Sequence, residues 1–320
     1  MRKSLHIRFS SIFLVLVSLS LAVYFAVRQK DQQPFRSNPT QSIRIGFIPG
    51  ENPEKLRVSS EAFAKRLSIS LGIKVEPYIS EDYQGLINAM SEKKIDFAFF
   101  TAMTFVFAEK EANAKVLLKK VWATPYYYSL VAVREGSGIK SLKDLKGKKV
   151  AFVDEKSTSG YLYPMVKLGE LGIDPARDFK KQVFSGSHDL SVEMLKKGEV
   201  DAIAVFSDNE SGSNSALTKY GLKKFRKLWL SEPIPNDPFV VRQDFYDSDP
   251  QLTHTLMYSF IDLANAPEGN LLKKWFNVSE MKLATSAQYD PVRRMVERLG
   301  LRLTSTHAQK PVPSSYLKSI

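Results

Sequence analysis

The chain contains no cysteine. That excludes disulfides, a thiol nucleophile, thiolate metal sites and a lipid anchor on a modified cysteine, and it is compatible with export. Histidine is scarce, with only His6, His188, His254 and His307, and these do not fall at metal-ligand spacing. No His-Glu-x-x-His, Gly-x-Ser-x-Gly or P-loop sequence is present. A Ser-x-x-Lys match, Ser91-Glu92-Lys93-Lys94, falls in a charged helix surface and reads as chance. These absences lead us to expect no enzyme, no cofactor and no metal. Long low-complexity tracts are also missing, which argues against global disorder.

Charge is unevenly spread. The formal net charge is +12, but residues 1–42 hold Arg2, Lys3, Arg8, Arg28, Lys30 and Arg36 against Asp31. The remaining 40 basic and 33 acidic residues are scattered and mixed in sign, in short pairs such as Lys119-Lys120 and Lys148-Lys149. They read as solvated helix faces, and no nucleic-acid partner is expected. Residues 9–27 form an uncharged apolar run between basic flanks, the layout of a secretory signal or signal anchor over residues 1–28. Ser20-Leu21-Ala22 offers a cleavage position, yet the run of 19 residues is long enough to span a bilayer once, so both fates stay open. Residues 29–42, with Pro34 and Pro39, read as a tether. The expected location is the periplasm or the outer face of the cytoplasmic membrane, with membrane contact through the N-terminal segment if it is uncleaved.

The composition is that of a globular protein of about two domains, 43% of the 320 residues being hydrophobic. A strand at residues 43–48 ends at Pro49-Gly50, and a helix over residues 54–71 stops at Gly72. Strand, helix and strand come next at 74–78, 82–93 and 95–100. This rhythm implies parallel strands with helical crossovers. Strands at 114–123 and 129–134 precede a second unit with strands at 149–153, near Phe184, and at 200–206. Residues 227–238 return toward the first unit, and residues 250–301 read as mainly helical. The fold class is α/β with two lobes, residues 43–128 plus 231–320 and residues 129–230. A cleft between such lobes, at the carboxyl ends of the strands, is a common small-molecule site.

Two polar runs each succeed a strand and open a helix: Ser157-Thr158-Ser159-Gly160 and Ser187-His188-Asp189. Hydroxyls and free N–H groups at a helix start suit an oxyanion, because the N–H groups project outward and the dipole favours negative charge. Ser and Thr are also ordinary N-caps, so the first run alone is a weak signal. The second run about thirty residues later, bringing His188, turns it into a candidate binding site. Asp189 reads as a first-turn helix charge. In Tyr126-Tyr127-Tyr128, extended backbone would alternate the rings, so at most one or two can face a cleft.

These residues resemble the phosphate, phosphite and phosphonate-binding proteins of ATP-driven importers. The resemblance rests on Val150-Ala151-Phe152-Val153 with Ser157-Thr158-Ser159-Gly160-Tyr161 and Pro164, and on Gly186-Ser187-His188-Asp189. Gly198-Glu199-Val200-Asp201-Ala202 and Ile234-Pro235-Asn236-Asp237-Pro238 extend it, and Ser141-Leu142-Lys143-Asp144-Leu145-Lys146-Gly147 is shared with many two-lobed binding proteins. It spans residues 43–295 and implies a type II periplasmic-binding fold. It further implies that Ser157, Thr158, Ser159 and His188 hold the oxyanion, with Tyr83 and Tyr126 or Tyr127 contacting ligand. Asp208 and Asp237 match acidic positions that receive an amine, and Glu210 could take the role of Asp208. One departure is Thr101-Ala102-Met103-Thr104-Phe105, where the family usually has a Gly-Pro-x-x-Tyr-like loop. The implied partners are a small phosphorus oxyanion and the membrane permease of the importer. A membrane-anchored anion sensor, and a binder of another anion or a thiamine precursor, stand as alternatives.

Overall fold

Short apolar stretches bounded by turn residues become the strands, and amphipathic stretches with capping residues become the helices that cover them. The computed structural model describes residues 42–49 and 53–301. The apolar run at residues 9–27, the cleavage position and residues 29–41 of the tether lie outside the described residues, and Ser42, its expected last residue, is the first of the opening strand. Among the described residues no helix is long and apolar enough to cross a membrane.

The first half runs β1 (Ser42–Phe47), α1 (Pro53–Leu71), β2 (Lys74–Ile79), α2 (Tyr83–Ser91), β3 (Phe97–Phe99), α3 (Ala102–Glu111) and β4 (Ala114–Val121). The middle runs β5 (Tyr126–Arg134), β6 (Lys149–Phe152), α4 (Tyr163–Glu170), β7 (Lys181–Phe184), α5 (His188–Lys197), β8 (Ala202–Ser207), β9 (Phe225–Leu230) and β10 (Ile234–Pro235). The last described elements are β11 (Pro238–Arg242), α6 (Pro250–Ala264), α7 (Leu271–Phe276), β12 (Glu280–Leu283) and α8 (Asp290–Arg298).

Two sheets result. The first has the order β12-β4-β11-β3-β1-β2, and the second β10-β5-β8-β6-β7 with β9 also on β5. The parallel pairs expected from the rhythm are present: β1 with β2 and β3, and β6 with β7 and β8. The antiparallel pairs are non-local, and hydrophobic periodicity carries no trace of them. β11 enters between β3 and β4, and both of its pairings are antiparallel. β12 lies in the stretch read as helical and pairs antiparallel with β4; its half-exposed edge position leaves it no clean alternation. β9, read as part of a return segment, is a strand on β5.

The chain passes between sheets at residues 122–125 and 236–237, and the two passages are tied together. Asn236 donates its side-chain N–H to the Thr124 carbonyl at 2.8 Å, and Lys120 N–H bonds the Asp237 carbonyl at 2.9 Å. The Tyr289 hydroxyl donates to the Asn236 carbonyl at 2.9 Å. The core of the first sheet is aromatic, with Phe47, Phe63, Phe99, Phe239, Phe260 and Phe276 ring on ring at 4.8–6.1 Å. The second sheet packs aliphatic residues on both faces, as an interior α/β sheet requires.

Candidate functional site

The hydroxyl run opens its helix as a wide turn. Ser157 is the N-cap and accepts the Gly160 N–H at 3.1 Å. Leu162 N–H then bonds the Ser157 carbonyl at 3.0 Å and Tyr163 N–H the Thr158 carbonyl, a five-residue spacing that makes Thr158–Leu162 a π turn ahead of α4. Such turns recur at functional sites because they displace side chains from regular helical positions. The first N–H groups of a helix have no intrahelical acceptor, so the start of the turn is rich in donors. Gly160 is required by close approach: a Cβ there would lie 2.5 Å from Val153 Cγ2 and 2.7 Å from Val153 Cβ.

Two further bonds hold the turn in place. Ser129 Oγ on β5 donates to the Ser159 carbonyl at 2.6 Å. Thr158 Oγ1 accepts the Met103 N–H of α3 at 2.8 Å, which reaches from the second sheet to the first-turn backbone of a first-sheet helix. Ser157, Thr158 and Ser159 are all buried.

The second run sits beside it. Ser187 caps α5, accepting the Leu190 N–H at 3.4 Å and donating its hydroxyl to Asp189. Asp189 is thus a helix-start charge, as expected. The buried His188 ring meets the edge of Phe206 at 4.9 Å.

From the first sheet come Tyr83, at the start of α2 where Asp82 caps Gly85 N–H at 2.6 Å, and Thr101, which forms a capping box with Thr104. This Thr101–Thr104 box does the local work at the departing loop noted in the sequence. Ser157, Thr158, Ser159, His188, Tyr83 and Thr101 line one cavity of about 170 Å³, together with Tyr127, Asp208 and Asp237. Burial pushes the Tyr83 hydroxyl well above its ordinary pKa, helped by the charges of Asp154 and Asp237 and opposed by a hydrogen bond with Ser157. Burial likewise pushes up the Tyr127 hydroxyl, opposed by a hydrogen bond with Thr158. Both therefore remain O–H donors at neutral pH. Burial also raises the Asp237 carboxyl, and Lys120, 3.5 Å away, works against that shift.

Eight of the nine candidates named from sequence thus line the cavity: Tyr83, Tyr127, Ser157, Thr158, Ser159, His188, Asp208 and Asp237. Tyr126 does not. It is 46% exposed with Lys119 over its ring, because alternation along β5 turns it from the face that carries Tyr127. Glu210, the alternative to Asp208, accepts a bond from the Tyr128 hydroxyl at 3.1 Å and is not part of the cavity wall.

Sequence reasoning missed Thr101, Lys55, Lys120, Lys219 and the aromatic wall of Phe47, Phe99, Trp122, Trp275 and Phe276. Lys119-Lys120 read as a solvated pair, yet Lys119 is buried and Lys120 pairs with Asp237. The available signal was their place at the end of an otherwise apolar strand. Among the described residues no group of three or more His, Asp or Glu could hold a metal ion.

Two α/β sheets joined by two tied crossings, with a hydroxyl-lined cavity fed by both, define a two-lobed solute-binding protein of the type II periplasmic class. The chain belongs to the family of periplasmic phosphonate substrate-binding proteins of ABC transporters, whose family model matches residues 45–289. It is 26% identical over 289 residues to a phosphonates-binding periplasmic protein of Escherichia coli, covering 88% of this chain and 83% of that one. A phosphate-import protein of Mycolicibacterium smegmatis is 28% identical over 282 residues, covering 81% and 86%. In fold, the chain matches PhnD1 of Prochlorococcus marinus in complex with methylphosphonate, with a TM-score of 0.71, 23% identity, and coverage of 82% and 99%.

Proposed function

We propose that this chain is the extracytoplasmic receptor of an ATP-driven importer and holds a tetrahedral phosphorus oxyanion in the 170 Å³ cavity between its sheets. Ser157, Thr158, Ser159 and His188 hold the oxyanion oxygens, and Tyr83 and Tyr127 close over them as O–H donors. The observation that carries this reading is the convergence of the π-turn hydroxyls, His188 and two protonated tyrosines in one buried place. Hydrogen bonds to a charged group contribute about 1.5–3 kcal/mol each. Four or five of them, less desolvation and ordering costs, reach the roughly 8 kcal/mol of a micromolar complex.

The two lobes are built on the two sheets and meet at the crossings at residues 122–125 and 236–237, a few residues from the divisions expected at 128 and 231, and ligand draws them together. The closed form docks on a membrane permease. The chain binds its ligand without transforming it, in keeping with a family of substrate-binding transport proteins. Membrane anchoring through residues 9–27 and a sensing role remain the second reading, carried only by that apolar run.

The test is calorimetric titration with phosphate, phosphite, methylphosphonate and 2-aminoethylphosphonate, with sulfate as the control. Micromolar binding of a phosphorus oxyanion and none of sulfate is expected. If no phosphorus oxyanion gives heat or a thermal shift, the reading is wrong.

A further inference from the structure

The cavity is larger and more apolar than an oxyanion needs. About 170 Å³ is available to the whole ligand; a benzene molecule by itself takes a dry cavity of roughly 150 Å³, so beside an oxyanion there is room for a short carbon substituent and not for a ring. Its far wall is built of Phe47, Phe99, Trp122, Phe260, Leu272 and Trp275. These residues come from β1, β3, the first crossing, α6 and α7, so the wall belongs to the first sheet, whereas the hydroxyl run and His188 belong to the second. Phe47 and Phe99 are 5.4 Å apart between ring centroids, and Phe99 stands 6.0 Å from Phe260.

Asp237 already has a cation beside it. Lys120 Nζ lies 3.5 Å from Asp237 Oδ2, with both side chains about four-fifths buried. The same Nζ is 5.1 Å from the Phe99 ring and 5.9 Å from the Trp122 ring, so the ion pair stands where the polar end meets the aromatic wall. The cavity wall holds three lysines, Lys55, Lys120 and Lys219, against two acids, Asp208 and Asp237. An ammonium on the ligand would have to sit beside Lys120 and compete with it for Asp237. A neutral apolar group meets no such conflict.

We propose that the ligand is an organophosphonate whose carbon substituent is neutral, apolar and short, seated against the Phe99–Trp122 wall, and that Lys120 excludes aminoalkyl substituents by occupying Asp237. This rests on the phosphorus-oxyanion reading above and narrows it to one class of substrate.

The experiment is calorimetry of the full chain with methylphosphonate, ethylphosphonate and 2-aminoethylphosphonate, repeated on Lys120→Met. Ethylphosphonate matches 2-aminoethylphosphonate in its carbons and lacks only the ammonium, and it is expected to bind the unaltered chain at least tenfold more tightly. Lys120→Met frees Asp237 and is expected to tighten 2-aminoethylphosphonate at least fivefold relative to ethylphosphonate, a switch that a merely structural lysine would not produce. If 2-aminoethylphosphonate binds the unaltered chain as tightly as ethylphosphonate, or Lys120→Met leaves the ratio of the two unchanged, the inference is overturned and the oxyanion reading stands. If none of the three binds, both fall.

Discussion

Replacing Gly160 by alanine would test whether the π turn is held by close packing. The added Cβ would lie 2.5 Å and 2.7 Å from Val153 side-chain atoms and 2.8 Å from Ser157 Oγ. Carbon pairs rest at about 3.5–4.0 Å, so something must withdraw by about 1 Å. Val153 is fully buried, and one of the two clashing atoms is its Cβ, which rotation of the side chain cannot move. The turn must therefore shift and carry the Ser157 hydroxyl with it. Overpacking of this kind costs about 1–3 kcal/mol of stability. Losing one hydrogen bond to a charged ligand costs a further 1.5–3 kcal/mol of binding, roughly ten- to a hundredfold in Kd. Urea unfolding reads the first loss and calorimetry with methylphosphonate the second. A Gly160→Ala chain with unchanged midpoint and unchanged Kd would refute the packing argument and, with it, the claim that the turn's shape sets the site.

Two other outcomes rest on named contacts. Thr158→Val keeps the shape but takes away the acceptor of the Met103 N–H, so about 1–3 kcal/mol of stability is expected to be lost, visible as a lower urea midpoint. Asp237 titrates with a raised pKa in the folded chain, so the folded state holds that proton more strongly than the unfolded one. Its contribution to stability is therefore greatest at acid pH and is lost as pH rises from its ordinary value, near 4, through the folded value. Asp237→Asn removes this contribution, and its stability relative to the unaltered chain is expected to rise between pH 4 and pH 7; a fall over that window would contradict the burial argument.

Much of the fold was legible because parallel βαβ units write themselves into local patterns. The helix over Pro53–Leu71 and the strands Lys74–Ile79 and Lys149–Phe152 fall within a residue or two of their expected positions. β12 and β9 were not legible, since an edge strand added antiparallel by a distant segment depends on what it meets and leaves little periodicity of its own. The polar end of the site was readable for a similar reason. Ser157-Thr158-Ser159-Gly160 and Ser187-His188 are contiguous runs placed by a strand-to-helix turn, which sequence can express. The opposite wall was not, because Phe47, Phe99, Trp122 and Trp275 are single apolar residues on four separate elements that look like any core residue until the chain folds. Lys120 was hidden by its partner, Asp237, which lies far along the sequence in the second crossing.

Whether the hydroxyl run and His188 hold a phosphorus oxyanion is tested most directly by titrating methylphosphonate into the unaltered chain, Ser157→Ala and His188→Ala, with urea midpoints measured alongside. The expected result is a loss of affinity of at least tenfold in each variant while each still unfolds cooperatively, Ser157→Ala at a lower midpoint because the Gly160 N–H loses its cap at a cost of about 0.5–2 kcal/mol. Binding by both variants at the affinity of the unaltered chain would contradict that assignment.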